Sequence, residues 1–166
     1  MKNFPVKVNG KEYWISRSVA VCVFIFRLKE NTIEVLTEIR GAGVDHSGER
    51  CAVCGYLEYD QTLKGACVAE TFQETGMVID ANRLKFVGYG DNPFDSDSYK
   101  QNVSMHFIYE TNEFEDINPS IRFGGEENEV EKIEWINVNS LPDDFCFNHK
   151  KLIEKYVKYT NMYAQK

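Results

Sequence analysis

Glu70, Gln73 and Glu74 are the residues of this chain whose types and spacing most plainly invite chemistry. Helical residues advance about 100° each, so positions three and four apart share a face. The stretch Leu63–Thr75 reads as a helix, with Gly76 placed to end it in a left-handed turn. On that helix the three polar residues continue a stripe begun by Leu63, Ala66 and Cys67. An apolar stripe that turns acidic halfway describes a helix whose first turns pack and whose last turns line a cleft. Two or three carboxylates on one face suit a hard divalent cation such as Mg²⁺, which takes oxygen ligands and retains several waters. Such an ion bridges phosphate oxygens and lowers the pKa of an attacking water. The alternative for the same residues is a helix packed through Val68 and Phe72, leaving the carboxylates as a solvated surface.

A glycine-centred turn at Gly55 leads through Glu58 and Asp60 into the helix, so the elements around it must present one face of the helix to a cleft. Asn9-Gly10 between two short alternating runs signals a type I′ hairpin. Residues 19–26 form an almost continuous apolar run of β-branched and aromatic side chains, the pattern of a central strand buried on both faces. Thr32–Arg40 reads as its neighbour, with Ile33, Val35 and Ile39 inward. Residues 51–54, 84–88, 103–109 and 132–138 read as further strands, the last carrying Ile133 and Trp135. Residues 148–162 read as a terminal helix packed through Leu152, Tyr156 and Tyr159. No repeat, low-complexity tract or linker divides the chain, which points to one α/β domain over 1–166.

At 166 residues with 43% hydrophobic content, the chain can build a substantial core. No apolar run is long enough to span a bilayer, and the first residues lack the apolar stretch of a signal peptide, so a cytoplasmic protein with no membrane partner is expected. A net charge of −7 argues against non-specific nucleic-acid binding, yet leaves room for small nucleotides held through metal ions. The five cysteines are expected to be free thiols in packing roles. Cys51 and Cys54 have the spacing of a zinc or redox pair, but no neighbouring histidine completes a ligand set, and His46, His106 and His149 are scattered. An oxidative link between Cys67 and Cys54 is conceivable.

The segment from Gly55 to Met77 resembles the Nudix box, G-x5-E-x7-R-E-U-x-E-E-x-G-U with U apolar, at the correct spacing throughout. Gly55, Glu70, Glu74, Gly76 and Met77 match. Gln61 and Gln73 stand where the family has Glu, Ala69 where it has Arg, and Thr71 where it has an aliphatic residue. Glu34 to Arg40 resembles the strand that precedes the box, and Glu131 to Pro142 the segment that follows it. The resemblance implies an α/β/α sandwich around a mixed β-sheet, and metal-assisted hydrolysis of a nucleoside diphosphate linked to another group, with Mg²⁺ or Mn²⁺. Glu70 and Glu74 would then be ligands or base, with Gln73 at a third ligand position. A further catalytic Glu often comes from a downstream loop, where Glu126 and Glu127 are the candidates. Arg40, Gly55, Glu58 and Tyr99 are the candidate substrate-binding residues; Phe94 or Tyr99 would stack on a base, and Lys100 would meet a phosphate. Trp14 and Arg17 would shape a nucleobase pocket or a homodimer contact. The departures at Gln61, Ala69 and Gln73 fit an attenuated enzyme, and the alternative is a silent domain that binds a nucleotide or a partner.

Overall fold

The computed structural model describes residues 4–94, 101–111 and 128–163. In chain order the first strands are β1 (Phe4–Val8), β2 (Lys11–Ile15), β3 (Val19–Lys29) and β4 (Thr32–Arg40). Then come β5 (Arg50–Cys51), β6 (Val53–Tyr56) and helix α1 (Leu63–Thr75). Strands β7 (Lys85–Gly90), β8 (Val103–Thr111) and β9 (Val130–Asn137) precede helix α2 (His149–Tyr156).

Strand β3 sits at the centre, as its apolar run requires. Every side chain from Val21 to Phe26 is at most 4% exposed, and each such burial is worth about 1.5–3 kcal/mol for the larger residues. Alternation sends Val21, Val23 and Ile25 to one face, where they meet Ala66 and Cys67 of α1. Cys22, Phe24 and Phe26 point to the other, against Ile153 and Tyr156 of α2. The sheet therefore lies between the two helices, and it is mixed: β3 pairs in parallel with β8 and antiparallel with β4 and β6. The hairpin β1–β2 forms a separate two-stranded sheet, its turn made by Asn9 and Gly10 at φ 49° and 80°, as a type I′ turn demands.

The fork that builds the site lies on the edge of β3 away from β8. There β4 pairs with only Phe26 to Lys29 of β3, while β6 takes Ala20 to Val23. Strand β4 then diverges and carries β9 along its far side. The gap between β3 and β4 receives β5 and β6, which bring Cys51, Cys54 and Gly55 toward α1.

Helix α1 has the expected bounds. Thr62 Oγ1 accepts from the Gly65 N–H at 3.1 Å, and Gly76, at φ 72°, closes the far end with its N–H on the Phe72 carbonyl. The apolar-then-acidic stripe is the inward one: Ala66, Cys67, Thr71 and Glu74 are buried, while Val68 and Phe72 are only half-buried. Thr71, at an aliphatic position of the family pattern, is buried with its hydroxyl donated to the Cys67 carbonyl at 2.7 Å, so no polar atom is stranded.

Three expectations need correction. The terminal helix stops at Tyr156 and tightens into a 3₁₀ turn, Val157–Tyr159, where Thr160 donates its hydroxyl to the Val157 carbonyl and competes with helix continuation. Strand β4 does not keep its alternation: Ile39 is half-buried while Glu38 and Arg40 are buried, because the strand leaves β3 and enters the gap beside α1. Cys67 packs in the α1-side core whereas Cys54 packs with the α2-side cluster, so the sheet separates these two thiols. Among the described residues, no helix is long and apolar enough to cross a membrane.

Candidate active site

The end of α1, the end of β4 and the turn after β6 converge. At Gly55 a Cβ would lie 2.2 Å from the Glu70 carboxyl carbon and 2.3 Å from Oε2. Only glycine lets that carboxylate settle over the backbone there. Glu70 is partly buried, and burial together with the charges of Glu129 and other acids raises its pKa to about 7.

One turn further on, Glu74 is 2% exposed. Its Oε2 accepts the Cys54 N–H at 3.2 Å, while Oε1 is buried with no hydrogen-bond partner. Burial, then the charge of Glu38, push its pKa well above the usual carboxylate range. Glu38, on β4, is its counterpart. It is 1% exposed, accepts the Cys51 thiol at 3.0 Å, and leaves Oε2 with no partner but the Glu74 carboxyl, a bond that forms only when one of the two acids is protonated. Burial, followed by the charge of Cys54, raises it to about 8. Neighbouring buried carboxyls hold protons for one another, since both cannot ionise cheaply.

Beside these acids opens a cavity of about 380 Å³, whose lining includes Arg40, Gly55, Glu129, Tyr56, Tyr89 and Lys155. Arg40 is anchored by Asp45, through Nε to the carbonyl and Nη2 to Oδ1, both at 2.7 Å, and lies over the Phe147 ring. Three backbone carbonyls, those of Asp91, Gln101 and Asn102, accept from the Arg17 guanidinium. Arg17 thus ties the backbone at Asp91 to that at Gln101 and Asn102. Asn102 donates to the Tyr56 hydroxyl at 3.2 Å and helps line the cavity.

Arg40 and Gly55 line this cavity, and Glu70 and Glu74 border it through Gly55 and Cys54. Gln73 shares their helix face and is half-buried. Glu58 is exposed and acts on Glu70 only through its charge; its N–H donates to Gln61 Oε1 at 3.2 Å. Phe94 is 90% exposed. Glu126, Glu127, Tyr99 and Lys100 lie outside the described residues. Two acids escaped the sequence reading. Glu129 belongs to the acidic stretch that contains the two loop candidates, so its neighbourhood was marked but not the residue. Glu38 fell on the outward side of the alternation expected for Thr32–Arg40, so the strand pattern gave it no signal.

The same cavity holds a second group, which corrects the expectation of scattered histidines. Cys22 Sγ, Cys54 Sγ and a ring nitrogen of His149 all lie within 4.8 Å of one another. His149 is fully packed at the start of α2, where Phe147 and Asn148, at φ 56° and 59°, turn the chain inward. Nothing in local spacing links positions so far apart.

The NUDIX domain family matches residues 16–156. No curated protein matches the chain at the level of sequence. Among solved structures, a MutT/nudix family protein from Enterococcus faecalis superposes with TM-score 0.72 at 16% identity, covering 88% of this chain and 64% of its own. The NUDIX domain of Shewanella oneidensis NrtR, complexed with ADP ribose, gives 0.68 at 15% identity, covering 87% and 89%. A bifunctional NMN adenylyltransferase/ADP ribose pyrophosphatase from Francisella tularensis, complexed with AMP and Mn ion, gives 0.66 at 17%, covering 87% and 42%. The chain thus spans less than two thirds of the first and third of these proteins.

Proposed function

Because this chain belongs to the Nudix family, we propose that it hydrolyses a nucleoside diphosphate linked to a second group, at a rate reduced by Gln61, Ala69 and Gln73. One observation carries the reading: the Glu70 carboxylate rests over Gly55, at the edge of a cavity of nucleotide size, with a pKa of about 7. A carboxylate poised near neutrality is suited to take a proton from an attacking water. Glu74, its backbone partner Cys54 and the buried Glu38 fix the helix end that presents it. Arg40, held by Asp45, keeps a positive charge beside the place where phosphates would sit. Tyr56 and Tyr89 are exposed aromatic faces on the rim, available to stack on a base.

The side chains present fit a hard divalent ion. Glu74 Oε1 is a buried acceptor that only a proton shared with Glu38 can satisfy, and Glu70 is raised by burial and then by neighbouring acids including Glu129, a cost that a cation would relieve. Glu70, Glu74 and Glu129 would hold Mg²⁺ or Mn²⁺, with the Gln73 amide as a neutral oxygen alongside. When bound, the ion supplies charge neutralisation at phosphate oxygens and a more acidic water. The ADP ribose and the AMP with Mn ion carried by two of the similar structures support a nucleotide-derived substrate and this class of ion.

A second reading, a nucleotide-binding domain without turnover, is favoured by the commitment of Glu74. The residue is buried with Oε2 already used by Cys54, and two neighbouring box carboxylates are amides. Screening nucleoside diphosphate sugars, dinucleotides and nucleoside triphosphates for Mn²⁺-dependent hydrolysis separates the two. Cleavage of one class supports the enzyme, while saturable binding without product at any ion concentration supports the binding domain.

A further inference from the structure

Two of the thiols that line the cavity form a built pair. Cys22 and Cys54 are direct partners across the antiparallel β3–β6 ladder. The Leu57 N–H donates to the Val19 carbonyl, so pairs alternate from there and Cys22–Cys54 is a non-hydrogen-bonded rung. This agrees with the Cys54 N–H pointing away, to Glu74. Rungs of that kind bring Cα atoms to about 4.5 Å with side chains close together, inside the usual disulfide range of about 4.4–6.8 Å. Both thiols line the cavity, Cys54 being the more exposed. Ser104 Oγ, at 3.1 Å, and His149 Nε2, at 3.6 Å, hold Cys22 Sγ in place.

The three donors also suggest a soft metal ion, but the histidine argues against it. The Ala52 N–H donates to His149 Nδ1 at 3.0 Å, which fixes the ring proton on Nε2, the nitrogen that faces the sulfurs. A metal-bound imidazole instead donates its other ring N–H to an acceptor, and here that position meets a donor. The ring is a hydrogen-bond donor toward sulfur and not a ligand.

We propose that Cys22 and Cys54 are an oxidisable dithiol, closed to a disulfide in the wall of the cleft by hydrogen peroxide. Cys54 sulfur attacks one peroxide oxygen; the O–O bond breaks, and the departing oxygen leaves as water with the thiol proton, giving a sulfenic acid. Cys22 sulfur attacks that sulfur, the S–S bond forms, and the sulfenic hydroxyl leaves as a second water with the Cys22 proton. Two thiols lose two electrons and one peroxide is reduced. The proposal rests on the ladder register and the cavity, and stands whether or not the cleft hydrolyses anything.

The test is a thiol map. Reduced protein is treated with increasing hydrogen peroxide, free thiols are alkylated, and peptides are weighed. The expected result is one Cys22–Cys54 linked peptide, separated by dithiothreitol, with Cys51, Cys67 and Cys146 still alkylated. In Cys22→Ser, oxidation should stop at a sulfenic acid on Cys54, trapped by dimedone. A link between Cys51 and Cys54 would overturn the proposal. So would oxidation of Cys54 to sulfinic acid with Cys22 free in the wild type, no reaction at either thiol, or stoichiometric zinc that protects both. The wild-type map decides by itself if the serine variant does not fold.

Discussion

Cys54 belongs to two neighbourhoods that differ in kind. Its backbone N–H serves Glu74 on the α1 face of the sheet, where acids collect around Gly55. Its thiol serves the α2 face, among Cys22, Ser104 and His149. On the first face, acids are crowded: Glu38 and Glu74 are buried together, and the hydrogen bond between their carboxyls needs a proton on one of them. On the second, the recorded hydrogen bonds place each polar group against another, and the histidine is held as a fixed donor. A cluster left electrostatically incomplete has something to gain from a cation and an anionic substrate. A satisfied cluster responds instead to a reagent that changes its covalent state.

The largest test of that contrast is at Glu70. Glu70→Gln should lower kcat by about 10²–10⁴-fold, the usual worth of general-base catalysis, with little change in Tm because the residue is only partly buried. Gly55→Ala should do comparable damage by driving the carboxylate off the backbone. With a pKa of about 7 before an ion binds, and a lower one once a cation sits beside it, the base is protonated in acid. In the wild type kcat/KM should therefore fall about tenfold for each pH unit below a midpoint that moves down as Mn²⁺ is raised. A steady-state pH profile reads this limb, and a flat profile from pH 5 to 8 would detach Glu70 from the chemistry.

Glu38 offers the next effect, on stability. Its folded pKa of about 8 exceeds the ordinary 4.5, so between those values the folded protein keeps a proton that the unfolded chain has released. The contribution of Glu38 to stability should therefore fall as pH rises from about 4.5 to about 8, by at most ~1.4 kcal/mol per unit, added to the falls of the same sign from Glu70 and Glu74. Thermal melts in chelator should show the summed slope in the wild type and a shallower one in Glu38→Gln. Equal slopes would mean that Glu38 is not the proton holder.

Gln73→Glu should tighten Mn²⁺ binding by roughly tenfold, since a unit charge at short range is worth a few kcal/mol before dehydration costs. Without ion it should lower Tm, and adding Ala69→Arg should recover part of that loss by pairing the carboxylates. Isothermal titration and melting of both variants measure the two effects. Thr71→Val should be the mildest change: the hydroxyl leaves together with its bond to the Cys67 carbonyl, that carbonyl stays in the helix, and stability should change by no more than about 1 kcal/mol. A larger loss would show that the hydroxyl shapes the end of α1.

The two faces were also unequally legible from sequence. The acidic face is mostly one local segment, where a cap, a 3.6-residue period and a terminating glycine determine Leu63–Thr75 and the shared side of Glu70, Gln73 and Glu74. Central burial of β3 followed from an apolar run with no alternation. What escaped was tertiary. Glu38 enters the site because β4 diverges from β3, and Ile39 loses its inward place for the same reason. The Cys22–Cys54–His149 cluster joins a central strand, its ladder partner and the start of a helix near the other end of the chain, and only strand register brings them together.

Turnover of the best substrate class from the screen, followed in Mn²⁺ for wild type and Glu70→Gln side by side, tests the central claim most directly. The account predicts wild-type hydrolysis that stops in excess chelator and drops at least a hundredfold in Glu70→Gln, with substrate binding by the variant retained. Equal rates in the two proteins, or undiminished wild-type turnover in chelator, would contradict it.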